Sequence, residues 1–600
     1  MSHPIHATHA KHEHNTDQTF TRMLHALIKR QAFPFAYAHG EDPYIIQTHA
    51  SAVILTPAYV YKLKKPRNFG FFDYSTIALR RHFCQMEVIL NDPLAPDIYL
   101  GVAPVVESSG GSFSFGHTYP PGNVPLPGGL DRAGTLVDYA VVMRRLPESA
   151  TLYALLHAGN VSPDLMSEIA QTVAHFHTQT QTNDHVASFG CMDVIRKNWD
   201  ENFQQMRPYI GRTIQKDVYT ALQRYVHQFL KQHEALFQQR ITHDHIRDCH
   251  GDLRLQHVYV LPALDSATKQ RIILLDRIEF NERLRYGDVA SEVAFLCMEL
   301  DFAKRPNLSQ AFLTRYIEET GDRSLPTLLP FYSCYRACVR GKVASLLLDD
   351  TEVTKAQQAQ ATQEAIDMFT LALHYTHATQ HPLLIMVGGV MGTGKSTIAC
   401  EIQHKYHYPL LSTDSIRKEL ARLQPMQPQA EQFGAGIYDP AWTRKTYAAL
   451  NDRAQAYLQQ GYSVILDGTF ASRADRQKIA HVAAQHGATA LFIECVAPRE
   501  ITLQRLAQRW QARTATSVAT HEGLSGISIA DMASMASDGR PELYDAQLAH
   551  WEAYDPEQER EVRHIVLPTM AASQETMATL QRDIGQFRNE VGRGKAISQK

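Results

Sequence analysis

The sequence predicts an α/β and α+β chain of two fused domains, a small sheet with a helical lobe in the N-terminal half and a doubly wound parallel sheet in the C-terminal half. Three observations carry this reading. The 600 residues exceed what one hydrophobic core serves, while 44% apolar and 20% charged residues are those of ordinary globular protein. After Pro382 an apolar run leads straight into a glycine-rich loop and a helical stretch, the order of a parallel-sheet unit. Ahead of it, β-branched and aromatic strands give way to long amphipathic patterns.

Along the chain, residues 1–20, with His3, His6, His9, His12 and His14, read as a disordered tail. Residues 52–56 and 58–63 read as strands joined at Pro57, and 74–90 as a helix. Apolar spacing of three and four predicts helices over 166–178 and 218–238. A helix over 356–377, rich in Gln and Ala, ends before Pro382 and reads as a connector. The expected division is a first domain over 21–350, a linker over 351–380, a second domain over 381–570, and a C-terminal helix with a basic tail over 571–600.

A formal charge of -3 supplies no broad basic field, so a general electrostatic grip on nucleic acid or anionic membrane is not indicated, although a local basic groove stays open. Eight cysteines without metal-type spacing suit a reducing compartment, and Cys334 and Cys338, one helical turn apart, read as packing residues. No apolar run approaches the roughly 18 to 20 residues that span a bilayer, and the N-terminus lacks the apolar core of a signal peptide. The expectation is a cytoplasmic protein without a membrane partner.

The run from Leu383 to Val387 reads as a buried strand, followed by Gly389, Val390, Met391, Gly392, Thr393, Gly394, Lys395 and Ser396, with Thr397 opening the helix. Glycines let such a loop curl until its N–H groups face phosphates. Lys395 then reaches the β and γ phosphates of ATP, and the Ser396 hydroxyl ligates Mg2+. Downstream, Asp414 and Arg417 stand one turn apart where a second strand opens into a helix, a pair suited to a hydroxyl acceptor. Asp414 accepts the proton of the attacking hydroxyl, and Arg417 holds the acceptor or a phosphate on it. Asp467 ends another strand, placed to act on magnesium through water, and Arg505 and Arg509 lie on a helix that can close over the triphosphate.

The N-terminal half carries a second set. His250-Gly251-Asp252 begins a loop ending at His257, and the strand from Ile272 leads to Asp276. Asp252 would orient or deprotonate an acceptor, and Asp276 would hold magnesium against the phosphates. Lys62 on a strand pairs the α and β phosphates, and Glu87 on the following helix holds that lysine.

Two resemblances follow. The stretch from Leu383 to about Pro556 resembles P-loop kinases that include polynucleotide kinases, gluconate kinase and zeta-type toxins. Its Thr413-Asp414-Ser415-Ile416-Arg417 is most similar to the polynucleotide-kinase branch, which implies a general base at Asp414 and a substrate or transition-state contact at Arg417. Residues 511–536 look like an extended lid. The N-terminal half, from about Tyr44 to Leu348, resembles the protein-kinase-like aminoglycoside phosphotransferase and choline kinase group, and Tyr286-Gly287-Asp288-Val289-Ala290 fits it too, with Asp288 bracing the next helix. Two departures stand out. His257 occupies the place of an Asn metal ligand, and Gln47-Thr48-His49-Ala50-Ser51, with only hydroxyls and amides to offer, replaces the glycine-rich loop. The combination resembles bacterial two-domain proteins labelled bifunctional phosphotransferase and ATP-binding protein. It implies a kinase acting on an unidentified hydroxyl acceptor, with a nucleotide-dependent regulator or an RNA or polynucleotide 5'-end kinase as alternatives.

Overall fold

In the computed structural model the described residues are 19–34, 42–48, 50–68, 70, 72–127, 130–131, 134–263, 270–350, 353–377, 382–406, 408–423, 432, 434–516 and 538–569, with 580, 582 and 584. The expected tail up to residue 18, the lid from 517 to 536, and nearly all of the C-terminal helix and basic tail lie outside them. The chain divides into two units, one of Met1–Asp200, Leu230–Glu299 and Phe312–Asp322, the other of Glu201–Phe229, Leu300–Ala311 and Arg323–Lys600.

In the first unit, β1 (Tyr44–Gln47), β2 (Ser51–Leu55) and β3 (Tyr59–Lys64) form an antiparallel meander. With β4 (Tyr99–Glu107), β5 (Phe113–Phe115), β6 (Leu130–Asp131) and β7 (Gly134–Arg144) they make a seven-stranded sheet in the order β1-β2-β3-β7-β4-β5, β6 pairing with β7. Alternation along β3 sends Tyr61 and Leu63 into the core beside Phe33 and Phe115, which leaves Lys62 and Lys64 together on the other face. That face meets the helix Ile77–Asn91, whose start is capped by the Thr76 hydroxyl accepting from the Leu79 N–H. The helix begins three residues later than expected, the Tyr74 N–H donating to the Arg67 carbonyl at 2.9 Å ahead of it. Beyond the helix Pro163–Gln179 come β8 (Ile246–Asp248), the hairpin of β9 (Val258–Pro262) and β10 (Gln270–Leu274), and β11 (Tyr286–Asp288) paired with β8. Asp288 braces the following helix as expected, accepting from the Ala290 N–H at 2.9 Å while pairing with the buried Arg240.

One expected helix is two. The stretch 218–238 breaks at His233 into Lys216–Gln232 and Glu234–Thr242, the backbone leaving helical angles there while the apolar spacing runs on. Periodicity alone cannot see such a break.

In the second unit, the helix Lys355–Tyr375 packs along Leu325–Leu346. A Cβ on Gly341 would sit 2.8 Å from the Phe369 ring, so this glycine is where the two helices approach. Ala361, Ala365, Met368, Phe369 and Ala372 are all buried, which makes the expected connector a core element of its unit. Five parallel strands complete the unit: β12 (Leu383–Gly388), β13 (Leu410–Ser412), β14 (Val464–Asp467), β15 (Thr489–Val496) and β16 (Val562–Pro568), in the order β13-β14-β12-β15-β16. All six residues of β12 are buried, as its position at the centre of a parallel sheet requires. The chain moves from β12 to one side for β13 and β14 and then to the other for β15, so a crevice opens at the carboxyl ends of the central strands. No described helix is long and apolar enough to cross a membrane, and all eight cysteines are free thiols, with Cys334 and Cys338 buried.

Candidate functional site

In the second unit β12 delivers the chain to a loop whose glycines are needed. Gly389, Gly392 and Gly394 have positive φ, and a Cβ would meet the Cys495 carbonyl oxygen at 2.4 Å from Gly389 and Thr502 at 2.8 Å from Gly392. The helix Lys395–Tyr406 starts directly behind the loop and turns its first N–H groups toward the crevice. The Lys395 ammonium donates to the Val390 carbonyl at 3.0 Å, and burial pulls its pKa down. The Met391 N–H donates to Gln547 Oε1 at 2.6 Å. Ser396 Oγ donates to Asp467 Oδ2 at 2.8 Å, at the end of β14, and burial pushes the Asp467 carboxyl up to about 6 against the pull of Lys395. A hydroxyl beside a carboxylate is the hard oxygen set that suits Mg2+.

A cavity of about 1210 Å³ is lined by Lys395, Ser396, Asp414, Arg417, Asp467 and Arg509, so residues read from separate stretches of sequence face one space. Thr397 and Arg505 line it too. Arg417 is only 6% exposed; its Nη1 donates to the Ile437 carbonyl at 2.8 Å and to Thr443 Oγ1 at 3.2 Å, its plane lies 4.9 Å from the Tyr438 ring centroid, and its buried Nε has no hydrogen-bond partner. Tyr438 in turn donates to Asp538 at 2.6 Å, and Asp538 pairs with the buried Lys418. Arg505 donates to the Thr569 carbonyl at 2.6 Å, which ties the expected lid helix to the chain just past β16. Tyr438, Asp538, Gln547 and Thr569 escape sequence reasoning because no motif spacing links them to the loop.

In the first unit, Glu87 is fully buried and each of its oxygens takes one lysine: Lys62 at 2.9 Å on Oε1 and Lys64 at 2.7 Å on Oε2. Lys62 also pairs with Asp276 Oδ1 at 2.5 Å, and Lys64 with Glu279, which accepts from the Tyr74 hydroxyl at 2.7 Å. Burial pulls Lys62 down, but Asp276 and Glu87 outweigh it and its pKa stands well above the ordinary lysine value. Burial likewise pushes Asp276 up, and Lys62 overcomes it, holding the carboxyl below the usual range. Glu87 therefore pairs with both lysines. Lys64 was legible as well, since residues two apart on a strand share a face.

Gly251, at φ +88, bends the loop that carries Asp252, and its N–H donates to Glu292 Oε2 at 2.7 Å. His250 Nε2 donates to the Leu275 carbonyl at 2.9 Å, and burial lowers its pKa to about 4, so the ring is a neutral strut between the Asp252 loop and Asp276. His257 lies between the two aspartates, with Nδ1 2.8 Å from the Asp252 carbonyl oxygen and Nε2 3.8 Å from Asp276 Oδ2. At the β1–β2 turn the expected supply of hydroxyls shrinks. Thr48 Oγ1 donates to the Ser51 carbonyl and accepts from the Ser51 N–H, closing its own turn.

The fold is thus a two-lobed protein-kinase-like domain followed by a doubly wound P-loop domain. Residues 384–526 match a family described as AAA domain. Uncharacterized proteins of Mycobacterium bovis and Mycobacterium tuberculosis are each 29% identical over 477 residues, spanning 79% of this chain and 88% of theirs. Among solved structures, a gluconokinase from Sinorhizobium meliloti covers 35% of this chain and 99% of its own at 19% identity and a TM-score of 0.20. A choline/ethanolamine kinase family protein from Mesorhizobium loti covers 58% and 96% at 10% identity and a TM-score of 0.32.

Proposed function

We propose that this chain is an ATP-dependent phosphotransferase with two nucleotide-binding domains, each passing the γ-phosphate to a hydroxyl acceptor. The observation that carries the reading is the single cavity in which the glycine loop, the Ser396–Asp467 pair and the Asp414–Arg417 pair meet. The loop's N–H groups and Lys395 hold the phosphates where charge develops, and Arg505 and Arg509 line the same cavity. Ser396 and Asp467 would hold Mg2+, which when bound neutralises phosphate oxygens. Asp414 takes the acceptor's proton. Arg417, fixed by Thr443 and lying over Tyr438, faces the same cavity to hold the acceptor.

The N-terminal domain is assigned the same reaction through Lys62 for the α and β phosphates, Asp276 as metal ligand and Asp252 as base. The Lys62–Glu87 pair, 2.9 Å long, supports this assignment, because it holds the lysine extended from β3 toward the Asp276 loop. Radiolabelled ATP offered with metabolite, RNA and protein pools tests both halves. Labelled products should disappear with Lys395→Ala for one half and with Asp252→Asn for the other. Wild-type protein that labels nothing in any pool would sink the reading in favour of a nucleotide-dependent regulator.

A further inference from the structure

We propose that the N-terminal site takes a borderline divalent ion, with Mn2+ as the probe, ahead of Mg2+, using His257 Nε2 and Asp276 Oδ2 as its protein ligands. This rests on the reading that the N-terminal domain binds ATP. The Asp252 carbonyl 2.8 Å from His257 Nδ1 can only accept, so in the neutral ring Nδ1 carries the hydrogen and Nε2 the lone pair. A second group that fixes the tautomer and aims the opposite nitrogen is the usual partner of a metal-binding histidine.

What Nε2 faces is the oxygen of Asp276 that Lys62 leaves over, since Lys62 engages Oδ1. The gap of 3.8 Å is too long for a hydrogen bond. Nε2 and Oδ2 would hold the ion between them. The neighbouring ring cannot substitute, because His250 is occupied by the Leu275 carbonyl and the Asp252 N–H. An imidazole with a carboxylate suits manganese and the later first-row ions, whereas Mg2+ prefers oxygen throughout. In the P-loop half the Ser396–Asp467 pair is all oxygen, so one chain carries two sites of different metal preference.

The test uses full-length Lys395→Ala protein, in which the P-loop site is disabled, with ATP and either Mn2+ or Mg2+. Pulsed EPR should show imidazole-nitrogen modulation on the bound Mn2+, absent in Lys395→Ala/His257→Asn. By calorimetry Mn2+ should support ATP binding about tenfold better than Mg2+, the scale of one altered metal-site partner, and His257→Asn should narrow that ratio. A His257→Gln version, with melting temperatures for all variants, guards against a fold defect in either substitution. ATP binding with no nitrogen modulation, or with a metal ratio that His257→Asn leaves unchanged, overturns the metal assignment alone. No ATP binding with either ion overturns it together with the nucleotide-binding reading of this domain.

Discussion

Asp414 sits in the first turn of the helix Thr413–Leu420 and lines the cavity with Lys395 and Ser396, and the proposed mechanism gives it the acceptor hydroxyl, not the nucleotide. Asp414→Asn should therefore slow transfer by about 100-fold or more, within the range for a general base, while calorimetry shows ATP affinity close to wild type. Affinity falling in step with turnover would move Asp414 into the nucleotide site. At this scale Lys395 and Ser396 were legible because glycine spacing encodes a backbone shape, and Asp414 and Arg417 because one helical turn separates them. The Arg417 clamp was not. Tyr438, which stacks near it, gains its meaning from Asp538 one hundred residues further on, and only the folded chain brings those two together.

The helix Val289–Phe302, which carries Asp301, and the helix Lys355–Tyr375 show what burial does to an ionisable group within one element pair. Asp301 accepts from the Tyr375 hydroxyl at 2.9 Å, and burial pushes its carboxyl up to about 7, with Tyr375 and Lys304 pulling the other way. The folded protein thus keeps a proton that the unfolded chain loses near the ordinary carboxylate value, about 4. Stability from this group is fully present below about pH 4 and falls as pH rises toward 7, by about 1.4 kcal/mol for each unit of difference. Asp301→Asn, neutral at every pH, should melt higher than wild type at pH 8 and show no such gain at pH 4; equal melting temperatures at both pH values would show that the carboxyl ionises normally. Elements were read unevenly. β2, β3 and β12 announce themselves by β-branched or uniformly apolar runs, whereas β16, with buried Val562 beside exposed Arg563, carries no such run. The helix Lys355–Tyr375 looked like a connector because alanines bury as small a face as a linker helix would show.

For the whole molecule, the sequence order of the two residue sets proposed to hold phosphate was clear, and the discontinuous make-up of the two units was not, since segments 201–229 and 300–311 join the P-loop unit only in three dimensions. The residues of each proposed nucleotide site, however, lie within a single unit, so ATP binding should be separable. Lys395→Ala should bind one ATP per chain at millimolar nucleotide, and adding Asp276→Ala should abolish that remaining site, because a metal bridge to phosphates is not replaced by water at little cost. Loss of all ATP binding on Lys395→Ala alone would leave the N-terminal domain a scaffold. The most direct measurement of the central claim is γ-phosphate transfer to the P-loop domain's acceptor by purified Lys395→Ala at saturating ATP. The expected result is a loss of about 100-fold or more, the ~3 kcal/mol of one preorganised charge-stabilising group, with an unchanged melting temperature. Full transfer by a correctly folded Lys395→Ala protein would contradict the account.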